Sequence, residues 1–364
     1  METIEVKVGT CSYPVHVETG VLARVGEMLA PYLVGRRVAL VTDSHVAPLY
    51  AAPVSQSLRA AGAEVNQYVL PAGEASKSLR SCQWLWGKLL EDRLDRSVTV
   101  VALGGGVVGD LAGFVASTYL RGVDLVQIPT TLIAQVDSAL GGKTGVNHPA
   151  AKNIIGTFYH PRCVLIDPAA LATLKRRDLR AGFAEVLKYA VIAHPALFQL
   201  LQDKLESLLA LQDEKTLAWV ISQCCQVKAR IVGRDEREQG MRRVLNFGHT
   251  IGHALEAATR FKALRHGEAV LFGMRGAAWL SAQRGLLPGD QFRQVGELLN
   301  RLPCPVDLSR VVPSAVMQFV ATDKKHYART LHFVGLRGIG WPQVITDVTE
   351  HELMAAIEYA LGRR

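Results

Sequence analysis

Three histidines crowd one stretch of the chain, in Asn246-Phe247-Gly248-His249-Thr250-Ile251-Gly252-His253 and in Arg265-His266-Gly267-Glu268. His249 and His253 are four positions apart, so on a helix they share a face. A carboxylate with apolar flanks lies upstream, Glu185 in Phe183-Ala184-Glu185-Val186-Leu187-Lys188. Two imidazoles and one carboxylate leave a fourth coordination position open, the arrangement of a catalytic zinc ion. Each residue also has a plainer reading. A single buried histidine is more often hydrogen-bonded core than ligand, and a Glu–Lys pair three apart is usually a surface pair worth little. Spacing leaves open which two histidines join Glu185; His249 with His253 is the simplest chelate.

A second group of residues suits a nucleotide. The β-branched run Val98–Leu103 leads into Gly104-Gly105-Gly106-Val107-Val108-Gly109-Asp110, which fits G-x-G-x-x-G between a strand and a helix. Glycines let the backbone approach a phosphate, and the helix start aims amides at it. The run follows about the fourth strand, whereas the usual dinucleotide fingerprint follows the first, so a tight strand–helix turn is the simpler reading. Asp43 ends the second strand and suits ribose hydroxyls or a helix N-cap. Glu74 and Lys77 follow the third strand, and Thr130 and Thr131 follow Asp124–Ile128. If these strands are parallel, the loops converge on one sheet edge. The loop Gln135–Asn147 adds Asp137 and Lys143, with Lys152 and Asn153 beyond it. Its Gly-Gly-Lys-Thr resembles the end of a P-loop. Asp137 stands where the earlier glycine is required, so the motif fails and an ATPase is a poor reading. The lysines and asparagine suit a substrate carboxylate or phosphate, although Lys152 alone reads as a solvated cation.

Behind these residues, short apolar runs alternate with helical patterns through the first half: strands at Ile4–Val8, Arg37–Thr42, Glu64–Leu70, Val98–Leu103 and Asp124–Ile128, and helices between them. This predicts an α/β domain with a doubly wound, mainly parallel sheet over residues 1–172. Strand signals then fade. Helical patterns at Arg177–Ile192, Pro195–Leu209, Glu214–Gly233, Leu245–Ala258, His266–Gln283 and Pro288–Leu299 predict an all-α domain over residues 173–364. The 364 residues suffice for two such domains. The formal charge of +8 comes from 41 basic and 33 acidic residues without a like-charge block. That argues for a small anionic substrate and against nucleic acid. The six cysteines form no C-x-x-C pair and read as reduced thiols of a cytoplasmic protein. No stretch reads as a signal peptide or a membrane span.

Taken together, the motifs resemble those of 3-dehydroquinate synthases, within the sugar-phosphate cyclase superfamily. The similarity runs from about Val38 to Gly340, through Gly104–Asp110, Pro129–Thr131, Gln135–Asn147 with Lys152-Asn153, Ala184–Lys188, Asn246–His253 and His266–Glu268. The resemblance implies a lyase that converts 3-deoxy-D-arabino-heptulosonate 7-phosphate to 3-dehydroquinate and phosphate. The implied sequence is transient oxidation by NAD, phosphate elimination, re-reduction, ring opening and aldol closure. It implies Zn²⁺ (or Co²⁺) on Glu185, His249 and His266, which overrules the simplest chelate and gives His253 to substrate phosphate and proton transfer. Implied NAD contacts are Asp43, Glu74, Lys77, Gly105, Gly106, Val107, Asp110, Thr130, Thr131, Asp137, Lys152 and Thr173. Implied catalytic groups are Lys143, Lys188, Lys228, Arg242, Asn246 and His253; Asn153 and one of Lys324 and Lys325 bind substrate. Arg121 resembles an arginine that serves the neighbouring subunit of a homodimer. The chain departs from the common pattern at Ala151, Lys175 and Asp178, and has no glycine directly after Asp323-Lys324-Lys325.

Three rivals remain. A related cyclase, of the 2-deoxy-scyllo-inosose or epi-valiolone synthase type, would share fold and cofactors; Asn153, His253 and Asp323-Lys324-Lys325 favour the dehydroquinate branch. A metal-dependent polyol dehydrogenase would not need Lys143, Lys188, Lys228 and Arg242. A non-catalytic relic of the fold would have lost ligands, yet every implied ligand is present.

Overall fold

The structure is a computed structural model that describes residues 1–33, 35–149, 151–327 and 331–363, without the side chains of 321–327. It divides into two compact units: residues 1–174 with 213–237, and residues 175–212 with 238–364.

The first unit is built on a seven-stranded sheet. Its strands are β1 (Glu2–Val8), β2 (Cys11–Val17), β3 (Arg37–Asp43), β4 (Glu64–Leu70), β5 (Thr99–Gly104), β6 (Asp124–Pro129) and, further along, β9 (Cys163–Ile166). The order is β1-β2-β9-β6-β5-β3-β4. Only the β1–β2 hairpin is antiparallel; β2–β9, β9–β6, β6–β5, β5–β3 and β3–β4 are all parallel. Strand β5 is buried throughout and β6 from Leu125 on, as parallel strands covered on both faces must be. The covering helices include α1 (Val25–Leu29), α2 (Ala52–Ala60), α3 (Leu79–Glu91) and α4 (Gly106–Thr118). Two apolar clusters result, one around Leu85, Leu89 and Leu111, the other around Leu40, Leu58 and Leu103. The stretch expected as a basic loop is a separate hairpin, β7 (Lys143–His148) with β8 (Ala151–Phe158). Lys143 and Thr144 therefore open a strand and not a helix, which removes the P-loop reading structurally.

Asp167, directly after β9, ties this unit together. It is 3% exposed. Its carboxylate accepts backbone N–H bonds from Gly20 (2.9 Å), Leu22 (3.1 Å) and Ala169 (2.9 Å). Asp167→Ala would leave these donors in a nearly dry environment, where one unsatisfied group costs about 1–3 kcal/mol. We expect a loss of about 3 kcal/mol by urea denaturation, with partial recovery in Asp167→Asn, whose amide oxygen still accepts. A loss under about 0.5 kcal/mol would refute this role.

The second unit is helical: α5 (Arg176–Ala193), α6 (Pro195–Leu209), α8 (His249–Ala258), α9 (His266–Gln283), α10 (Gly289–Asn300), α11 (Pro313–Tyr327) and α12 (Glu350–Ala360). It also holds a two-stranded hairpin, β10 (Phe333–Gly338) with β11 (Trp341–Ile345), which the all-α expectation did not contain. The intervening helix α7 (Glu214–Arg234) belongs to the first unit, so the division differs from the simple one at 172/173. Long-range packing explains this. Helix α7 lies on β1, where Gln226 donates to Glu2 (3.1 Å), and a Cβ on Gly233 would stand 2.6 Å from the Lys7 carbonyl oxygen. The predicted helix Leu245–Ala258 is interrupted. A short turn at Met241–Asn246 ends before Gly248, which adopts φ 81° as the N-cap of α8. A side chain at Gly248 would also meet Met274 N at 2.7 Å and Val270 O at 2.8 Å. Among the described residues, no helix is long and apolar enough to cross a membrane.

Candidate active site

In the second unit, three residues on one face of α5 match the first three residues of α9 one by one. Arg177, Ala181 and Glu185 are spaced four apart, so they line one stripe of the helix. Arg177 holds Glu268 with two bonds of 2.7 Å. Ala181 meets Gly267, where a Cβ would lie 1.8 Å from the Ala181 carbonyl oxygen. Glu185 Oε1 then stands 3.5 Å from His266 Nε2. Helix α8 supplies the third edge, with His249 Nε2 3.8 Å from the same oxygen. The other oxygen, Oε2, takes the Lys188 ammonium at 2.5 Å. Glu185 and Lys188 are 0% and 1% exposed, so their charges interact with little screening.

This geometry bears on the choice among the histidines. The ligand atoms of His249, His253 and His266 all lie within 4.8 Å of one another, so the triad could hold a metal ion. Glu185 adds a carboxylate oxygen facing His249 and His266. Both of those rings have Nδ1 against an acceptor: Phe247 O at 3.3 Å for His249 and Glu256 Oε2 at 3.1 Å for His266. Their Nε2 atoms are thereby left to converge on Glu185 Oε1. Such a donor set, with imidazole nitrogens and one carboxylate, fits a divalent transition ion. Burial, and then the Lys188 charge, hold His249 well below the usual imidazole range, so it is a neutral donor. Desolvation also opposes charge on His266, but hydrogen bonds to Glu185 and Glu256 outweigh it and raise its pKa; a metal ion at Nε2 would take the place of that proton.

In the first unit, the parallel ladders bring the expected nucleotide residues to one sheet edge. Asp43 pairs with Leu70 at the ends of β3 and β4, and Gly104 pairs with Pro129 at the ends of β5 and β6. The segments bearing Asp43, Glu74, Lys77, Gly105 and Thr130 leave from these ends. Gly105 caps α4, and Gly106 and Val107 open it. A Cβ on Gly105 would come within 3.0 Å of Thr131, and one on Gly106 within 2.9 Å of Ser138. Both neighbours are side-chain atoms that would have to shift for a Cβ, and the bare backbone leaves the first-turn amides of α4 open, which suits an anionic phosphate. Asp43 accepts from the N–H groups of His45 (2.8 Å) and Val46 (3.0 Å), closing the turn that follows β3. Lys77 bonds Asp110 and Asn153, and Glu74 accepts from Asn147 at 2.7 Å. Burial pushes the Asp110 carboxyl up, against the pull of Lys77. Thr130 N–H donates to Gly104 O (2.9 Å), Thr131 caps the next turn through Ala134 N–H (3.3 Å), and Thr173 shares a bond with the Tyr50 hydroxyl (2.7 Å).

The remaining cations distribute between the units. Lys228 of α7 bonds Asp137, and Lys143 and Lys152 lie on the β7–β8 hairpin, all in the first unit. Arg121 is exposed in a turn after α4, with φ 66°. Arg242 is buried and Asn246 bonds Glu238, both in the second unit with His253. Lys324 and Lys325 fall in α11, but their side chains lie outside the described residues. Sequence reading passed over Glu238 and Glu256. The second was readable: His249, His253 and Glu256 follow the i, i+4, i+7 spacing of one helix face.

Known proteins share this architecture. Residues 67–181 match the family model described as 3-dehydroquinate synthase N-terminal, and residues 182–326 the one described as 3-dehydroquinate synthase C-terminal. A 3-dehydroquinate synthase of Desulforamulus reducens is 45% identical over 358 residues, covering 98% of this chain and 99% of that protein. The structure of a 2-epi-5-epi-valiolone synthase from Streptomyces hygroscopicus subsp. jinggangensis 5008, with NAD⁺ and Zn²⁺ bound, superposes with TM-score 0.88 at 33% identity, over 98% of this chain and 99% of that one. A 2-deoxy-scyllo-inosose synthase complexed with carbaglucose-6-phosphate, NAD⁺ and Co²⁺ gives TM-score 0.89 at 26% identity, over the same shares. Two family models in tandem and close similarity along almost the whole length lead to one conclusion: the chain belongs to the 3-dehydroquinate synthase family.

Proposed function

We propose that the protein is a 3-dehydroquinate synthase, a lyase that converts 3-deoxy-D-arabino-heptulosonate 7-phosphate to 3-dehydroquinate and phosphate in the shikimate pathway. The observation that carries the reading is the convergence of His249 and His266 Nε2 on Glu185 Oε1, beside the buried Lys188. We assign Glu185, His249 and His266 to a Zn²⁺ or Co²⁺ ion, and the loops at the β3–β6 edge to NAD. When bound, these groups supply reversible hydride removal at one substrate carbon and polarisation of the oxygen on it.

The chain's own residues do the rest. The substrate carries a carboxylate and a phosphate, and Lys143, Lys188, Lys228 and Arg242 are the cations assigned to them. Lys188 and Arg242 are buried, so their charge acts with little screening on an anion brought beside them. His253 stands beside the assigned ligands, its ring 5.3 Å from that of His249 and 5.7 Å from that of His266, and we assign it to proton transfer at the leaving phosphate. Asn153 has φ 57° and is held there by Asn147, which accepts its N–H at 2.9 Å. Asparagine tolerates this left-handed conformation within β8, and its side chain accepts from Lys77; we assign it to substrate binding. We assign the protein to a homodimer in which Arg121 serves the partner's substrate.

The test is phosphate release from 3-deoxy-D-arabino-heptulosonate 7-phosphate with catalytic NAD⁺ and Zn²⁺, coupled to 3-dehydroquinase. Phosphate and dehydroquinate should appear in equal amounts without accumulation of NADH. Folded, metal-loaded protein that releases no phosphate refutes the assignment. Turnover of another sugar phosphate in its place would select a related cyclase, and NADH accumulation with a polyol would select a dehydrogenase.

A further inference from the structure

We propose that Glu256 is a positioning residue for the metal centre, fixing the tautomer and ring orientation of His266. The proposal rests on the assignment of His266 as a ligand. His266 is the first residue of α9, so its backbone position is set by the neighbouring clamp of Arg177 on Glu268, and by Glu268 accepting the Arg265 N–H at 2.8 Å. None of those bonds governs rotation of the ring about χ2. A half-turn would exchange Nδ1 for a ring carbon and point the wrong edge at Glu185. The His266 side chain is 34% exposed, against 10% for His249, so packing restrains it less.

Glu256 supplies the missing restraint. It comes from α8, on the same helix face as His249, and is 6% exposed. Its Oε2 lies 3.1 Å from His266 Nδ1. An ionised carboxylate only accepts, so Nδ1 must donate, and the Nε2 atom facing Glu185 Oε1 at 3.5 Å is the one available to a metal. His249 achieves the same end differently, with its Nδ1 against the backbone oxygen of Phe247 at 3.3 Å. One ligand is thus oriented by main chain, which substitution leaves in place. The other is oriented by a side chain, which substitution removes. A carboxylate partner also makes the imidazole a stronger donor than a carbonyl partner does.

The experiment strips metal from the full chain and titrates it with Zn²⁺ against a chromophoric chelator. Glu256→Ala should weaken Zn²⁺ binding about 10–100-fold, while Glu256→Gln, whose amide oxygen still accepts from Nδ1–H, should weaken it less. In the Co²⁺-loaded protein, the paramagnetically shifted exchangeable Nδ1–H proton of His266 should be sharp in the wild type and lost to solvent exchange in Glu256→Ala. A merely structural role would lower the melting temperature of the metal-free protein and leave the Zn²⁺ affinity and this resonance unchanged, which overturns the proposal. If Glu256→Ala does not fold, an unchanged affinity and proton signal in both Glu256→Gln and Glu256→Leu overturns it equally. Failure of the wild-type protein to bind Zn²⁺ refutes the metal centre itself, a different result from equal binding by wild type and variant.

Discussion

His249→Ala should lower kcat/KM for phosphate release by at least about 10³-fold with Zn²⁺ and NAD⁺ supplied. Metal polarisation of an oxygen is worth several kcal/mol, and each 1.4 kcal/mol is about tenfold in rate. Loss of one of the three residues assigned to the metal should also lower the Zn²⁺ content of the purified protein. His253→Ala is the necessary comparison, because the three histidines are close enough for any of them to ligate. We expect His253→Ala to retain Zn²⁺ at wild-type stoichiometry while losing rate. Loss of the metal in His253→Ala, with retention in His249→Ala, would reverse the assignment. Glu185→Gln is a less clean test. It leaves the Lys188 ammonium, 1% exposed, without its charge partner, and breaking such a pair costs about 3–5 kcal/mol of stability. Treatment of the wild type with a chelator should reproduce the His249→Ala loss, and added Zn²⁺ should restore the activity only in the wild type.

The parts legible in the sequence were those where local pattern and tertiary demand agree. Helix α6 begins at Pro195 and α9 at His266, where the apolar periodicity predicts them, because proline suits a first turn and α9 is apolar over many turns. Gly104–Asp110 lies between strand and helix as read, since β5 is buried on both faces and shows as an unbroken apolar run. Strand β2 carries Pro14, which breaks a strand pattern. It is tolerated there because β2 follows a tight hairpin and pairs in parallel with β9 over only Val15–Val17. The β7–β8 hairpin was hidden by Lys152 and Asn153, whose polarity reads as loop while Ile154, Gly156 and Phe158 take the alternate exposed positions. Nothing local in Glu214–Arg234 shows that the chain returns to the first unit; that is settled by packing on β1, more than two hundred residues away in sequence. The site shows the same division. Residue types and helix spacing nominate Glu185 and the histidines, but the facing of Glu185 toward His249 and His266 depends on how α5, α8 and α9 pack.

That packing makes Gly267→Ala the second large expectation. In most helices this substitution stabilises, since glycine costs about 0.5–1 kcal/mol relative to alanine. Gly296 in α10 meets that rule: a Cβ there has no heavy atom within 4 Å, so Gly296→Ala should stabilise by about that amount. At Gly267 the sign should reverse, because the added carbon would sit 1.8 Å from the Ala181 carbonyl oxygen, and backbone cannot swing aside as a side-chain end does. Overpacking of this kind costs about 1–3 kcal/mol. The relief available is for α9 to move away from α5. Gly273 blocks a simple slide along α8, since a Cβ there already would lie 1.9 Å from Gly248 O, showing how closely those backbones touch. A shift of α9 carries His266 away from Glu185, and a misplacement near 1 Å can cost about 10²-fold in rate. We therefore expect Gly267→Ala to lose about 10²-fold in kcat/KM and to bind Zn²⁺ more weakly, with chemical denaturation reporting the stability loss alongside. If Gly267→Ala behaves like Gly296→Ala in all three measurements, the close α5–α9 contact is wrong. The glycine between His266 and Glu268 would then need another explanation than the one the geometry supplies: the helix that carries His266 must touch the backbone of the helix that carries Glu185.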